Sequence, residues 1–350
     1  MNLEPTRFLI VRLSAIGDVL HATTVAHNLR LARPGCHITW LASPPASELL
    51  RYNPDIDELL VWDRRLFDHA VTHAHLLAAR QELNKLRRLF AVRHFDVVLD
   101  VQCLFLTGVI SRMAHAKKRI GIHERHEFNH LFMTARGPKI PLRHKIHHYL
   151  TVLRPLGITA EDYHLILQLP PELDTFAEHF FAAHAIDTTR PILMVNTRTT
   201  WPDKNWPSAF YPKALKALPE DIQIVFCGAA ADRICIRQIR AALTRPSISI
   251  AGETNLLELA ALFRKSNLLL TGDTGPLYIA AASDLPTLSL WEPTHPDIYG
   301  PLEGEHHFIL SPNSCTTCCK TRCQHGTNAC MNAIAPDEVE KALTAFFQHT

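Results

Sequence analysis

The sequence predicts an α/β protein built from two parallel-sheet units in series. Short apolar runs alternate with longer segments of helical periodicity. The alternation stops at a polar, proline-containing stretch, LQLPPELD at 167–174, and then starts again. A chain of 350 residues is long for one core and comfortable for two.

In the first half, strands are expected at Phe8–Leu13, His37–Leu41, Glu58–Trp62, Asp96–Val101 and Arg119–Ile122. Helices are expected at Val19–Arg33 and Leu76–Val92, with another over 143–157 that Gly157 stops. The second half repeats the scheme. Its strands are expected at Ile192–Asn196, Ile222–Cys227, Ser247–Ile250, Leu268–Leu270 and Thr287–Leu290. Its helices are expected at Ser208–Ala217, Asp232–Leu243, Leu256–Arg264 and Thr274–Ser283, with a last amphipathic one at Pro336–Phe347. Strand–helix alternation implies parallel sheets covered by helices. Two such units in series are expected to leave a cleft lined by strand C-termini.

Composition narrows the function. No apolar run approaches the roughly 18 residues of a membrane span. Glu4 and Pro5 precede a short FLIV run that ends in Arg12, a buried strand and not a signal peptide. A cytoplasmic protein is therefore expected, and its nine cysteines fit that compartment as reduced thiols. The net charge of +2 conceals an asymmetry. Residues 1–170 hold 22 Lys and Arg against 15 Asp and Glu, while residues 171–350 hold 14 against 19. The first half is thus suited to an anionic partner, although a basic solvated surface would look the same. The 22 histidines show no metal-ligand spacing.

Four strand exits carry chemistry. RLSAIGDV (12–19) runs from the first strand into a helix with one glycine, Gly17, where a dinucleotide turn needs three. Asp18 there is either a helix cap or a reactive carboxylate. NTRTTWPDKNWP (196–207) offers the hydroxyls of Thr199 and Thr200 and the charge of Lys204, or else a solvated loop anchored by Trp201 and Trp206. VFCGAAADR (225–233) presents Asp232 as a ribose ligand or a cap. GDTGPLYIAAA (272–282) sets Asp273 beside Thr274 and Gly275, whose N–H groups open a helix and suit an anion. Three such exits in one unit match the needs of a nucleoside diphosphate. A nicotinamide dehydrogenase would need a GxGxxG turn, and neither half has one. Cys315, Cys318, Cys319, Cys323 and Cys330 include a C-x-x-C core, but their spacing matches no standard zinc finger. Reduced structural thiols are expected there in preference to a metal. A cysteine–metal module would also leave the polar exits at 199–204 and 273–275 without purpose.

The stretches 12–23, 199–207 and 272–282 occur together with EPTHPDIYGPL (292–302) and the cysteine-rich tail 315–331. In this order they resemble glycosyltransferase family 9, the ADP-heptose:lipopolysaccharide heptosyltransferases. The resemblance implies a GT-B fold, two facing Rossmann-like domains with a central cleft. Residues 1–168 would bind the acceptor. Residues 169–335, with a Cys-rich loop at 315–330, would bind the nucleotide sugar, and helix 336–350 would cross back to the first domain. It implies inverting transfer of heptose from ADP-heptose to the inner core of lipopolysaccharide, with no cofactor or metal. Asp18 would be the general base. Lys204 and the helix start at Thr274 and Gly275 would stabilise the departing diphosphate. Thr199 and Thr200 would hold phosphate oxygens, Asp273 sugar hydroxyls, and Asp232 the ribose side. Arg12, Arg64 and Arg65 are candidates for an anionic, lipid-linked acceptor at the cytoplasmic face of the inner membrane. No nucleic-acid partner is implied. Two departures stand out. Tyr278 occupies a position where relatives usually have histidine, and relatives more often carry glutamate near Asp232. They keep open another nucleotide sugar, such as UDP-N-acetylglucosamine, or a protein acceptor.

Overall fold

The structure is a computed structural model describing residues 6–124, 126–141, 144–313, 323 and 326–348. It divides into two units, Met1–Gln168 and Leu169–Thr350. The first runs β1 (Arg7–Val11), α1 (Ile16–Ala32), β2 (His37–Ala42), β3 (Glu58–Val61), α2 (Arg64–Thr72), α3 (Leu76–Ala91), β4 (Val97–Asp100), α4 (Phe105–Met113), β5 (Lys118–Gly121), β6 (Ala135–Arg136) and α5 (Lys145–Leu150). Its sheet order is β3-β2-β1-β4-β5-β6, with every pairing parallel.

Alternation along β1 builds the core. Phe8 and Ile10 face a cluster with Val25, Leu29 and Trp40, whereas Leu9 and Val11 face Leu86, Phe90 and Ile110. Both faces are covered, so the strand reads as an unbroken apolar run.

The second unit runs α6 (Glu172–Ala183), β7 (Ile192–Asn196), α7 (Tyr211–Leu215), β8 (Gln223–Cys227), α8 (Arg233–Ala242), β9 (Ile248–Ser249), α9 (Leu256–Arg264), β10 (Leu268–Gly272), α10 (Gly275–Ala281), β11 (Thr287–Trp291), α11 (Pro296–Tyr299), β12 (His306–Leu310), α12 (Ala329–Ala333) and α13 (Pro336–Gln348). Its order, β12-β11-β10-β7-β8-β9, repeats the winding of the first. In both sheets the order reverses beside the unit's first strand, so the loops after β1 and β4, and after β7 and β10, meet at a switch point. The helix over Pro336–Gln348, expected to cross back to the first domain, buries Val339 and Leu343 in the core of the second unit.

The sequence misses one strand in each sheet, β6 and β12. Both are edge strands, and β6 has only two residues. The other two edges, β3 and β9, are legible in the sequence; β6 is only Ala135–Arg136 and β12 buries Ile309 alone, so neither carries a buried apolar run. The helix α6 begins inside the stretch taken for a linker, and α2 also goes unpredicted. Among the described residues no helix is long and apolar enough to cross a membrane.

Candidate functional site

At the first switch point the loop after β1 is held from both sides. The Trp40 indole donates to the Arg12 carbonyl at 3.1 Å, and the Leu13 N–H donates to the Gln102 side chain at 2.6 Å. Gln102 is positioned by Asp100, which accepts from the N–H groups of Gln102 and Cys103 and from Asn129. Burial pushes the Asp100 carboxyl above the usual range despite these bonds.

Asp18 lies in the first turn of α1, three residues beyond the N-cap position at Ala15. It is therefore not the N-cap residue, although its carboxylate reaches back to accept from the Ala15 N–H at 3.5 Å. One carboxylate oxygen faces the Arg12 guanidinium at 2.5 Å, and the other accepts from the Tyr149 hydroxyl at 2.7 Å. The Asp18 side chain is 31% exposed. Burial works against its charge, but Arg12, the Tyr149 hydroxyl and His21 outweigh that and hold the carboxyl below the usual range. Asp18 is thus ionised at neutral pH and fixed in orientation.

Arg12, expected as an acceptor contact, is buried and already engaged. It donates to the Val101 carbonyl at 2.9 Å and lies 5.1 Å from the centre of the Tyr149 ring. Arg64 pairs with Asp68 at 3.0 Å, and the exposed Arg65 pairs with Asp63 at 2.7 Å. Tyr149 is the residue that sequence reasoning missed. It comes from α5, 131 positions away, and no local pattern marks it. Its neighbour His148 lines a cavity of about 490 Å³ with His123, Glu124, Lys139 and Thr151. Burial, and then Lys145, lower the His148 pKa and favour the neutral ring.

At the second switch point the loop after β7 folds onto the end of β10. The Thr199 N–H donates to Asn205 at 2.7 Å, and its hydroxyl donates to the Trp201 carbonyl at 2.6 Å. A Cβ on Gly272 would come within 3.1 Å of the Thr199 methyl, so the small residue permits this approach. Thr200 is exposed. Lys204 is buried, which rules out a solvated loop at this position. Its ammonium lies 4.3 Å from the Trp201 ring centre and 2.5 Å from Asp273. Asp273 also accepts from the hydroxyls of Tyr278 at 2.6 Å and Thr294 at 2.5 Å. Lys204 and Asp273, expected to meet different parts of a ligand, therefore pair with each other. Neither carboxylate oxygen of the adjacent, buried Asp203 has a partner among the described residues.

Thr274 takes the N-cap position of α10 in extended conformation, and Gly275 is the first helical residue. Asp232 accepts from the Ala229 N–H at 2.8 Å and so caps its own turn with one oxygen. That turn requires Gly228, whose φ is +153° and whose missing Cβ would sit 2.7 Å from Asp232. Cys315 and Cys318 lie outside the described residues, as does Cys319; Cys323 is half-buried and Cys330 buried. Among the described residues no three His, Cys, Asp or Glu side chains cluster as metal ligands.

Comparison with known proteins adds to this geometry. A family model described as glycosyltransferase family 9 (heptosyltransferase) matches residues 83–328. The chain is 28% identical over 294 residues to the lipopolysaccharide core heptosyltransferase OpsX of Haemophilus influenzae, covering 82% of this chain and 79% of that protein. Its fold matches the crystal structure of a family 9 glycosyl transferase from Veillonella parvula with TM-score 0.86 at 24% identity, covering 100% and 99% of the two chains. It also matches the E. coli heptosyltransferase WaaC with ADP-2-deoxy-2-fluoro heptose, with TM-score 0.74 at 19% identity over 97% and 99%. The two six-stranded parallel sheets are those of a GT-B fold.

Proposed function

Because the chain belongs to glycosyltransferase family 9, we propose that it transfers heptose from ADP-heptose to the inner core of lipopolysaccharide, with inversion at the anomeric carbon. The observation that carries this reading is Asp18, an ionised, partly exposed carboxylate held at the first switch point by Arg12 and Tyr149. Asp18 takes the proton of the acceptor hydroxyl. The freed oxygen attacks the anomeric carbon, the bond to the diphosphate breaks, and its electron pair leaves with ADP. At the second switch point Lys204 is the charge suited to that leaving group. Engaging a diphosphate requires it to share its ammonium with Asp273. Thr200 and the start of α10 at Thr274 and Gly275 supply phosphate donors, and Thr199 joins them by turning its hydroxyl from the Trp201 carbonyl. Asp273 meets sugar hydroxyls with the lone pairs its three partners leave, and Asp232 meets the ribose side. These steps use a carboxylate and an ammonium and call for no metal ion. In the first unit a cavity lined by Lys139, His123, Glu124 and the neutral His148 has room for a saccharide. Lys139 there, with Arg64 and Arg65 once they share their charge with Asp68 and Asp63, would meet a phosphorylated, lipid-linked acceptor.

One observation favours a second reading, another nucleotide sugar. Tyr278 supplies the hydroxyl on Asp273, and a phenol there reshapes the contacts to the sugar. A thermal-shift panel of ADP- and UDP-sugars decides between them. A ligand at about 100 times its Kd stabilises by about 2.7 kcal/mol. A shift with ADP-heptose but not UDP-N-acetylglucosamine is expected; the reverse would overturn the donor assignment.

A further inference from the structure

Helices α2 and α3 pack together on the first unit through Phe67, Leu83, Leu86 and Phe90. Between their packed portions the chain is exposed at seven consecutive residues, Val71 to Leu77. Leu76 and Leu77 are 76% and 78% exposed, and Val71 is 51% exposed. Single exposed apolar residues need no explanation, but two adjacent leucines presented at a hairpin tip do. The flanks are cationic. Asp63, Asp68 and Glu82 are paired with Arg65, Arg64 and Lys85. Arg80, Arg87 and Arg88 have no acidic partner among the described residues, and all three are exposed.

We propose that this hairpin tip is a membrane-docking element, in which Leu76, Leu77 and Val71 enter the interface of an anionic bilayer while Arg80, Arg87 and Arg88 meet its headgroups. An apolar tip with a basic flank is the pattern of interfacial insertion, in which burial and charge attraction act together. A second copy of the chain is a poorer occupant. A stable dimer needs more than about 1,000 Å² of buried surface, beyond what three tip side chains supply. A two-fold contact would also set the same surplus charge against itself.

The position of the hairpin connects it to the candidate site. The Arg64 N–H donates to the Ser43 hydroxyl at 3.0 Å, and the Ser43 N–H donates to the Leu13 carbonyl at 3.0 Å. The nine residues of α2 then span about 13 Å to the tip at 1.5 Å per residue. A docked tip therefore holds the loop that leads into α1, and with it Asp18 in the first turn of that helix, within reach of a lipid-linked acceptor. This functional sense rests on the transferase reading; the docking itself does not.

Cosedimentation of the full chain with phosphatidylcholine vesicles, with and without phosphatidylglycerol, tests the proposal. Wild type should partition onto the anionic vesicles and far less onto the neutral ones. Leu76→Asn with Leu77→Asn alters only exposed positions and should keep the melting temperature while lowering partition about tenfold or more. Arg80→Gln with Arg87→Gln and Arg88→Gln should lower it by about fivefold per arginine, and added salt should mimic that loss. Equal binding by the leucine variant and wild type would overturn the proposal. So would indifference of wild type to phosphatidylglycerol, or a wild-type dimer that the leucine variant converts to monomer in sedimentation velocity. Turnover on a delipidated acceptor separates the two readings. Its absence in wild type counts against the transfer reaction and leaves vesicle binding to stand or fall alone.

Discussion

The two switch points occupy the same place in the same winding, yet they treat their carboxylates differently. Asp18 keeps 31% of its side chain in solvent, whereas Asp273 keeps 7% and its partner Lys204 10%. Asp18 has two strong partners; Asp273 has three, and they engage both its oxygens. A carboxylate that must collect a proton has to be reachable. One that organises a loop and a lysine works best sealed from water, where each bond is electrostatically stronger. The difference suits chemistry at the first point and electrostatic organisation at the second.

The sharpest way to break this comparison is Asp18→Asn. It keeps size and hydrogen-bonding capacity but removes basicity, so kcat should fall about 10²–10⁴-fold with donor affinity unchanged. A kcat within about threefold of wild type would end the assignment of Asp18 as base.

Lys204→Met should be the larger effect on stability. It leaves Asp273 buried without its cation, which typically costs about 3–5 kcal/mol. For a domain of this size that is a fall of about 2–4 °C in Tm for each kcal/mol. Adding Asp273→Asn removes the stranded charge and should recover much of the loss. An unchanged Tm in the single variant would mean that the second switch point is no more sealed than the first. In steady-state kinetics the same variant should lower kcat as well as raise KM for the donor, because the charge matters more as the diphosphate departs.

Tyr149→Phe should lower kcat about tenfold, the scale of one hydrogen bond to a charged group. It also has a pH signature. The Tyr149 bond helps hold the Asp18 pKa down, so its loss should move the acid limb of kcat/KM upward. A lower rate with an unmoved limb would make Tyr149 a packing residue only.

The smallest expected effect is on stability against pH. Asp18 has a lowered folded pKa, so its contribution is fully present above its unfolded pKa of about 3.9 and is lost as pH falls through the lower folded value. Wild type should therefore lose more stability than Asp18→Asn across that acid window, as followed by thermal melts. Parallel curves would show that Arg12 and Tyr149 do not bias the carboxylate.

The sequence made every strand but two and most of the helices legible, the inner strands most clearly because a parallel strand buried on both faces must be apolar throughout. It hid β6, which is two residues long, and β12, in which Ile309 alone is buried. Asp18, Lys204 and Asp273 could be picked out because they follow strands, where backbone N–H groups and side chains converge. Their partners could not. Tyr149 reaches Asp18 across 131 positions and Lys204 reaches Asp273 across 69, and no period or spacing encodes such meetings. Considered one strand exit at a time, Lys204 and Asp273 were each expected to meet a ligand. Brought together, they first satisfy each other.

Each sheet is closed within one continuous stretch of chain, and neither borrows a strand from the other. All pairings of the first sheet are therefore available once residue 168 has left the ribosome. At about 5–20 residues per second, the rest of the chain takes roughly 10–35 s more to be made. Parallel sheets assemble slowly because their contacts are distant in sequence, and unpaired strand edges attract other chains while they wait. The contiguous division gives the first unit that interval to hide its strands before those of the second appear. Each sheet can thus close from its own stretch of chain, with no strand to wait for from the other.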